Sequence, residues 1–273
     1  MPDDCIIGEP RADGSLLHVI SEVGRRVAMV RVGNECMYTL EEKAFFLQQG
    51  YLHVPAVLDD RYLALLREEF DRVWQVERPK VNQHKLLKYP AFIDLIEHPP
   101  IVERHRAIFG AQTQLLQYDF LRQGPESGAA ERGWHRDFVF PGDRPLSINT
   151  ILYLDDMDEV VGPTRVVPGS HRGEELPQIR DQPLPDEVAL YAKAGDAAFI
   201  NSAIWHSGGC NKGLGLRRGI YLYYGYWWLK RYESEQQLPW EAVENAGEAR
   251  LQLLGVKMPD RDIHQYRSNA GFA

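Results

Sequence analysis

The sequence predicts a mainly β protein with added helices (α+β), in which a double-stranded β-helix (a cupin-like jelly roll) is clad by N-terminal helices. Eight short segments with strand character follow residue 112, separated by turn residues such as Gly124-Pro125 and Pro168-Gly169. Many short strands with regular turn signals are typical of sandwiches and barrels, and eight fit a double-sheet jelly roll. Helical periodicity is found mainly before residue 112, so these helices are expected to cover the sheet.

The N-terminal region begins with a predicted β-hairpin and one well-delimited helix. Residues 16–23 and 27–32 have the composition of two short strands, interpreted as an added edge of the fold. A helix should begin after Thr39, because Thr39 and Glu42 form a capping-box pattern. Gly50 should end this helix, since glycine readily adopts the left-handed conformation found after helix C-termini.

A short strand and three further helical patterns complete the N-terminal region. The strand covers residues 51–54, and the helix after it is capped by Asp59 or Asp60. Two shorter helical patterns lie near residues 92–97 and 101–109. The two long helices are interpreted as cladding for the sheet, without a chemical role.

Residues 78–89 differ from the helices around them because they are polar, locally basic and without a clear period. Lys80, His84, Lys85 and Lys88 supply the basic character. The segment is interpreted either as a solvated loop or as a lid that brings positive charge toward an acidic substrate. The sequence leaves both interpretations open.

The eight predicted strands form the core, and one helix over residues 239–254 is expected after them, ending at Gly255. A single domain is therefore predicted for residues 1–273. Its parts are the N-terminal hairpin and helical cladding (1–112), the jelly-roll core (113–228) and the C-terminal helix and tail (229–273). The strands are predicted at residues 113–122, 133–140, 146–154, 164–167, 188–192, 196–200, 203–208 and 216–228.

The composition excludes several classes of function. With a net charge of −8 and a pI near 5.6, the chain lacks the basic face that a nucleic-acid partner requires. No apolar run approaches the roughly 18 residues of a membrane span. The N-terminus is acidic and no apolar signal core follows it, so a cytoplasmic protein is expected. Three cysteines are too few and too widely spaced for a disulfide framework or a zinc cluster.

Two stretches of the predicted core carry residues that suit a metal site. His135 and Asp137 are two positions apart in a predicted strand, so their side chains should leave the same face. His206 lies in the second stretch. Two histidines and one carboxylate, with open positions opposite, are the arrangement that non-haem Fe(II) oxygenases use. Arg217, further along the chain, is placed to bind the far carboxylate of a metal-chelating co-substrate bidentately.

Two functions of other classes fit the same residues. A Zn(II)-dependent hydrolase also uses histidine and aspartate ligands, but it needs neither Arg217 nor oxygen. A non-catalytic jelly-roll binding protein would hold a structural metal there, or none. Cys210, four residues beyond His206, is interpreted as a neighbour of the site and not as a ligand. An absorption band that requires Fe(II) and the metal-chelating co-substrate together would separate the three functions.

Most of the chain resembles the phytanoyl-CoA dioxygenase family of iron- and 2-oxoglutarate-dependent oxygenases. Each matching motif is weak alone, but together they are specific to this family. The resemblance covers residues 39–74, Trp134-His135-Arg136-Asp137, Gly162-Pro163-Thr164-Arg165-Val166-Val167-Pro168-Gly169-Ser170-His171, Ala194-Gly195-Asp196, and the stretch from Trp205-His206 through Arg217.

The resemblance implies Fe(II), 2-oxoglutarate and O2 as cofactor and co-substrates. His135, Asp137 and His206 match the iron ligands of the family, and Arg217 matches its 2-oxoglutarate arginine, with Arg218 as the alternative if the register shifts by one. Relatives that halogenate have a small residue in place of the aspartate, so this chain is expected to hydroxylate a small-molecule substrate. Desaturation and ring formation remain alternatives, and the substrate and the oligomeric state are not predicted.

Several further residues are expected near the site. Thr150 lies on the side of its strand that faces the co-substrate in relatives. Gln117, Phe138 and Trp227 are expected to contact the substrate, although aromatic residues on strands more often belong to a core. His171 ends a family signature turn and is not expected to bind metal.

Overall fold

The computed structural model describes residues 19–22, 25–32, 35–127, 133–173, 182–229 and 238–258, and for residues 19–38 only the backbone. Its strands form three antiparallel sheets. The strands, in chain order, are β1 (Val19–Glu22), β2 (Arg25–Val32), β3 (Glu35–Thr39), β4 (Tyr51–Val54), β5 (Thr113–Gln123), β6 (Ser147–Tyr153), β7 (Thr164–Val166), β8 (Val188–Leu190), β9 (Ala197–Asn201), β10 (His206–Ser207) and β11 (Arg217–Tyr226). The helices are α1 (Leu40–Gln49), α2 (Asp60–Glu77), α3 (Gln83–Leu86), α4 (Pro90–Leu95), α5 (Pro99–Phe109), α6 (Trp240–Val243) and α7 (Glu248–Leu253).

The N-terminal elements follow the sequence closely. The predicted hairpin is confirmed as β1 and β2, and β3 extends it to a three-stranded meander that the sequence analysis did not include. Thr39 caps α1 through a complete capping box with Glu42, and Gly50 ends the helix at a φ of 82°. Asp59, rather than Asp60, caps α2 by accepting a hydrogen bond from the backbone N–H of Tyr62 at 2.7 Å. The caps thus determine where both helices begin.

The largest of the three sheets has five strands, in the order β4-β9-β6-β11-β5. Its two faces are covered differently, because side chains alternate across the central strands. Ile148 and Leu152 of β6 belong to the large apolar cluster that the helices cover. Ile151 and Tyr153, which alternate with them, pack in a smaller cluster with residues of the second sheet. The fold is therefore the expected jelly roll with helices on one side.

The second sheet has the order β10-β7-β8 and carries the motif region. Two predicted strands are much shorter than expected here. Residues 133–140 form only a one-residue bridge, between His135 and His206, and residues 203–208 contribute only β10. The reason is a contact between residues far apart in sequence: after His135 the chain bends, and the N–H of Phe138 donates to the carbonyl of Ser202 at 2.8 Å instead of continuing a ladder with β10.

The C-terminal helix is also corrected. Residues 239–254 form two short helices, α6 and α7, separated by a turn. Asn245 in this turn has a φ of 54°, and Gly247 occupies the N-cap position of α7. Asn and Gly favour turns over a helix interior, so a proline near the start and Gly255 at the end were not enough to predict one helix. None of the helices in the described residues has the length and apolar character of a membrane span.

Candidate active site

Three side chains from two distant parts of the sequence meet at one end of the jelly roll. One potential ligand atom each from His135, Asp137 and His206 lies within 4.8 Å of the others. Oδ1 of Asp137 is 3.8 Å from Nε2 of His135 and 3.6 Å from Nε2 of His206. The structure thus brings together the three residues that the sequence analysis selected as a metal site.

Backbone pairing explains why the two histidines are neighbours. The N–H of His135 donates to the carbonyl of His206 at 3.0 Å, and the N–H of His206 donates back at 3.0 Å. Residues directly opposite in an antiparallel pair send their side chains to the same face. The two imidazole rings are accordingly 4.2 Å apart between centroids. A single bridge is enough to align them, which is why the site forms although the predicted strand at 133–140 does not.

Each imidazole is oriented in the same way by its own backbone. Nδ1 of His135 donates to the carbonyl of Gly133 at 2.7 Å, and Nδ1 of His206 donates to the carbonyl of Ile204 at 3.1 Å. With Nδ1 protonated, Nε2 of each ring carries the lone pair and points to the shared site. His206 is buried, and burial lowers its pKa, so this ring is held in the neutral form that a metal ligand requires.

Asp137 completes the cluster and has a partner that the sequence analysis missed. Its Oδ1 faces the two imidazoles, while its Oδ2 accepts a hydrogen bond from Nδ2 of Asn149 at 3.4 Å. Asn149 lies on β6 and is 2% exposed. The signal available in the sequence was the alternation of β6, which places Asn149 on the face opposite to Thr150.

Arg217 is buried at the start of β11, close to the end of the His206 stretch. Its Nη1 donates to the carbonyl of Gly209 at 2.7 Å and to Oε1 of Gln123 at 3.1 Å. Both acceptors are neutral, and no carboxylate of the described residues pairs with this guanidinium. Gly208 lies beside it: a Cβ there would be 3.6 Å from Nη2. A buried cation with only neutral partners is suited to receive an anionic ligand.

Arg218 has the opposite environment. Its guanidinium binds Asp155 through two nitrogens, at 3.0 and 2.7 Å, and Asp71 through a third contact at 2.7 Å. These carboxylates raise the pKa of Arg218 and leave it no edge for a co-substrate. Of the two arginines that the sequence analysis considered, the structure therefore favours Arg217.

Tyr221 lies on the same face of β11 as Arg217. Its Cε2 lies 3.6 Å from the position that a Cβ on Gly219 would take, so the tyrosine ring packs beside this glycine. Burial raises the pKa of Tyr221, and Arg217 and Asp137 act on it with opposite signs. The phenol therefore lies within electrostatic reach of both residues, and Tyr221 is a second residue of the site that the sequence analysis did not select.

A cavity of about 900 Å³ opens from Asp137 along the edge of β5. Gln117 and Tyr223, directly opposite each other on β5 and β11, line it on the sheet side. Gln117 thus lies where a substrate contact was expected. Phe138 and Trp227 are not among the described residues that line this cavity. Their contact with a substrate stays a prediction.

The basic segment 78–89 is neither a solvated loop nor detached from the site. It contains α3, Val81 is buried, and Asn82 forms a one-residue bridge with Asp119 of β5. Pro79, Lys80 and Val81 form a wall of the cavity. The segment therefore forms one side of the cavity, and its role as a lid stays a prediction.

Thr150 is the clearest correction among the site residues. Its hydroxyl lies 2.7 Å from Nε2 of His105, on α5, and both residues are fully buried on the helix-covered face of the sheet. Thr150 therefore faces away from Asp137 and does not contact the site. His171, as expected, lies elsewhere: its Nε2 is 3.2 Å from the carbonyl of Leu47.

Comparison with known proteins agrees with this geometry. The model of the family described as phytanoyl-CoA dioxygenase (PhyH) matches residues 46–219. Dioxygenase andF of Emericella variicolor is 31% identical over 142 residues, which cover 48% of this chain and 48% of the relative. L-proline trans-4-hydroxylase of Streptomyces griseoviridis is 25% identical over 160 residues, 49% of this chain and 56% of the relative. The chain thus spans about half the length of these relatives.

The fold is shared with solved structures. HygX from Streptomyces hygroscopicus, crystallised with nickel and 2-oxoglutarate bound, superimposes with a TM-score of 0.62 at 19% identity. The superposition covers 72% of this chain and 90% of HygX. At this level of identity the comparison establishes the jelly-roll fold alone.

Proposed function

The chain belongs to the phytanoyl-CoA dioxygenase family, and from this premise we propose that it is an Fe(II)- and 2-oxoglutarate-dependent dioxygenase. Its reaction is the hydroxylation of an unactivated C–H bond in a small-molecule substrate. The observation that carries the proposal is the combination of two features: a convergent His135/Asp137/His206 cluster, and the buried Arg217 without a carboxylate partner in the described residues.

The donor set fits Fe(II). Two imidazole nitrogens and one carboxylate oxygen lie around a common position, which is the 2-His-1-carboxylate set of non-haem iron oxygenases. The carbonyls of Gly133 and Ile204 hold both rings with Nε2 inward, so the protein supplies the outer partners that such ligands require. His135, Asp137 and His206 would therefore hold the metal.

Arg217 would bind the distal carboxylate of 2-oxoglutarate. Gly209 and Gln123 hold one nitrogen of its guanidinium, and the absence of a side chain at Gly208 keeps neighbouring atoms away from the other. A guanidinium fixed in this way can make the bidentate, charge-assisted contact that carboxylates favour. The presence of 2-oxoglutarate in HygX, which has the same fold, supports this assignment.

Iron, 2-oxoglutarate and O2 together would supply the oxidation of the C–H bond, with succinate and carbon dioxide as the other products. The residues of the chain bind, orient and enclose these groups. Asp137 supplies the anionic ligand, and its presence supports hydroxylation over halogenation, as does the relative named L-proline trans-4-hydroxylase. Gln117, Tyr223 and the 79–81 wall would receive the substrate in the cavity beside Asp137.

The rival functions explain less of the structure. A Zn(II) hydrolase would use the three ligands, but it gives no reason to keep Arg217 buried without a carboxylate partner. The same is true of a binding protein with a structural metal. Neither rival would consume 2-oxoglutarate.

The test is oxygen-dependent formation of succinate. The purified protein should be supplied with Fe(II) and 2-oxoglutarate and incubated with a panel of amino-acid derivatives, acyl thioesters and natural-product scaffolds. We expect succinate above the substrate-free level with at least one class, matched by a product heavier by one oxygen, and no turnover without O2. His206→Ala is the control and should be inactive on the same panel. Turnover that persists without O2, or that depends on zinc, would exclude the proposal.

A further inference from the structure

Asn149 lies at an unusual place for a buried asparagine. It is the third residue of β6, the central strand of the five-stranded sheet, and its Cα partners are Ile200 on one side and Tyr223 on the other. Asparagine is depleted in strands, because its side chain competes with the backbone for hydrogen bonds and because it packs poorly. A residue of this type in the middle of a sheet is expected to have a specific partner.

The other buried asparagines of the described residues have ordinary structural roles. Asn201 accepts a hydrogen bond from the backbone N–H of Ala203 at 2.9 Å. Asn211 accepts one from the N–H of Gly213 at 3.0 Å, and its Nδ2 donates to two backbone carbonyls. Both therefore stabilise turns. Asn149, in contrast, makes no side-chain hydrogen bond to the backbone of any described residue.

Among the described residues, the hydrogen-bond partner of the Asn149 side chain is Asp137. Its Nδ2 donates to Oδ2 at 3.4 Å, which is near the long limit for a hydrogen bond. Its Oδ1 is buried and has no hydrogen-bond partner in the structure. A buried carbonyl without a partner is destabilising. If only packing mattered, an apolar residue of similar size would make the folded protein more stable. The carboxamide is therefore retained for its polar atoms.

The contact divides the Asp137 carboxylate into an inner and an outer oxygen. Oδ1 faces Nε2 of both histidines, and Oδ2 is directed to Asn149. An amide N–H bound to Oδ2 competes with any metal for the lone pairs of that oxygen. Asp137 would then supply one oxygen, not two, and one more position of the metal would stay open.

We propose that Asn149 is a positioning residue that keeps Asp137 a one-oxygen ligand of the metal. This inference rests on the proposed function, because it presupposes a metal held by His135, Asp137 and His206. It adds a residue outside the family motifs to the site, and it gives the buried carboxamide a role that the packing of β6 does not.

Cobalt(II) is a suitable probe, because its visible absorption reports the number and geometry of its ligands without any turnover. The metal-free protein should be titrated with Co(II) alone, and the affinity and the spectrum recorded. Asn149→Leu removes the donor at nearly constant volume, and Asn149→Ala removes it without adding apolar bulk if the leucine variant fails to fold. Thr150→Val, one residue along β6 on the opposite face, is the matched control for disturbing this strand.

Losing an outer partner of a metal ligand costs roughly 10- to 100-fold in metal affinity. We expect that loss in both Asn149 variants, together with a changed Co(II) spectrum, because Oδ2 becomes free to bind. Thr150→Val should be less stable to urea but should keep the wild-type spectrum and affinity.

Each other outcome has a defined meaning. If the Asn149 variants match the wild type in affinity and spectrum, Asn149 does not position Asp137 and the inference is wrong. If Thr150→Val changes the spectrum in the same way, the effect comes from the strand as a whole and the inference is also wrong. If the wild-type protein itself binds no Co(II), the metal site and the proposed function fail together.

Discussion

The two faces of the five-stranded sheet are built from the same strands but have different chemistry. On the helix-covered face, Ile148 and Leu152 of β6 pack in an apolar cluster, and the polar Thr150 is paired with His105. On the other face, Nδ2 of Asn149 donates to Asp137 of the cluster of potential ligands, and the buried Oδ1 of Asn149 has no hydrogen-bond partner among the described residues. The helix-covered face thus packs mainly apolar side chains, although Nδ1 of His105 has no hydrogen-bond partner there, whereas the other face carries the potential metal ligands.

Arg217 and Arg218 show this difference within two consecutive residues. Alternation along β11 directs them to opposite faces. Arg218 binds Asp155 and Asp71, so its charge is compensated by the protein. Arg217 is more deeply buried, and within the described residues its guanidinium hydrogen-bonds to the neutral acceptors of Gly209 and Gln123. Burial of an arginine does not by itself indicate function; burial without a compensating carboxylate does.

The largest effect is expected when a side chain proposed to bind the metal directly is removed. His206→Ala should abolish detectable Fe(II) binding, a greater loss than the roughly 100-fold upper range for outer partners. The fold should persist, because a single bridge and the strands around it hold the region. Metal content after dialysis and far-ultraviolet circular dichroism measure the two quantities. A folded His206→Ala protein that retains stoichiometric iron would show that His206 is not a ligand.

The next effect concerns the two arginines. Removing one partner of a buried charge-assisted pair costs about 2–5 kcal/mol, so Arg217→Ala should weaken 2-oxoglutarate binding by about 30- to 3,000-fold. Arg217→Lys should recover part of this, because an ammonium cannot present two parallel donors. Calorimetric titration of the Fe(II)-loaded, oxygen-free protein gives these affinities.

Arg218→Ala is the matched control for this prediction. It should leave 2-oxoglutarate affinity unchanged and lower the free energy of unfolding by about 1–3 kcal/mol, because hydrogen bonds between charged groups are lost. The opposite pattern, with Arg218→Ala impaired in binding and Arg217→Ala normal, would reverse the assignment of the two faces.

A smaller effect, on the free energy of unfolding, is expected from His105 on the helix-covered face. Burial lowers the pKa of His105 to about 3, from an ordinary value of 6.5. The unfolded chain therefore takes up a proton near pH 6.5 that the folded chain takes up only near pH 3. This histidine should reduce the free energy of unfolding as the pH falls below 6.5, by about 1.4 kcal/mol at pH 5.5.

His105→Gln isolates this contribution, because a glutamine keeps a hydrogen-bonding group near Thr150 but does not titrate. Urea denaturation of metal-free protein at pH 7.5 and 5.5 should show a smaller loss for the variant than for the wild type. Equal losses in both proteins would mean that His105 does not carry the pH dependence.

The smallest effect is expected for Thr150→Val. Loss of its hydrogen bond to His105 should lower the free energy of unfolding by about 1 kcal/mol, and 2-oxoglutarate affinity should not change. Measuring both quantities shows whether Thr150 only bonds to His105, as in the structure, or also contacts the co-substrate. A tenfold loss of 2-oxoglutarate affinity in a stable variant would restore that expectation.

Much of the fold was predictable because its signals are local. The capping box at Thr39 and the alternation of β5, β6 and β11 each depend on residues near in sequence. The interrupted strand at 133–140, in contrast, depends on a neighbour far along the chain. The strand at 133–140 is interrupted because Phe138 finds a partner in Ser202, and no local pattern reveals that bond.

The potential metal ligands of the candidate site were predictable, but the residues around them were not. His135, Asp137 and His206 were selected from residue type, spacing and family resemblance, and the structure brings them together. Asn149 and Tyr221 were not selected, because alternation along β6 and β11 shows which residues share a face but not which of them approach Asp137. Their roles depend on which face of the sheet receives Asp137, and only the assembled fold shows that.

The face of the sheet that carries Asn149 and Arg217 is expected to bind the metal and 2-oxoglutarate together. The most direct measurement is the visible absorption of the oxygen-free protein during titration with 2-oxoglutarate in the presence of Fe(II). We predict a weak charge-transfer band that requires both Fe(II) and 2-oxoglutarate, saturates at one equivalent per chain, and is lost when His206 is replaced by alanine. If no such band appears with metal bound to the wild-type protein, or if Zn(II) alone supports turnover, the protein is not an Fe(II)- and 2-oxoglutarate-dependent enzyme.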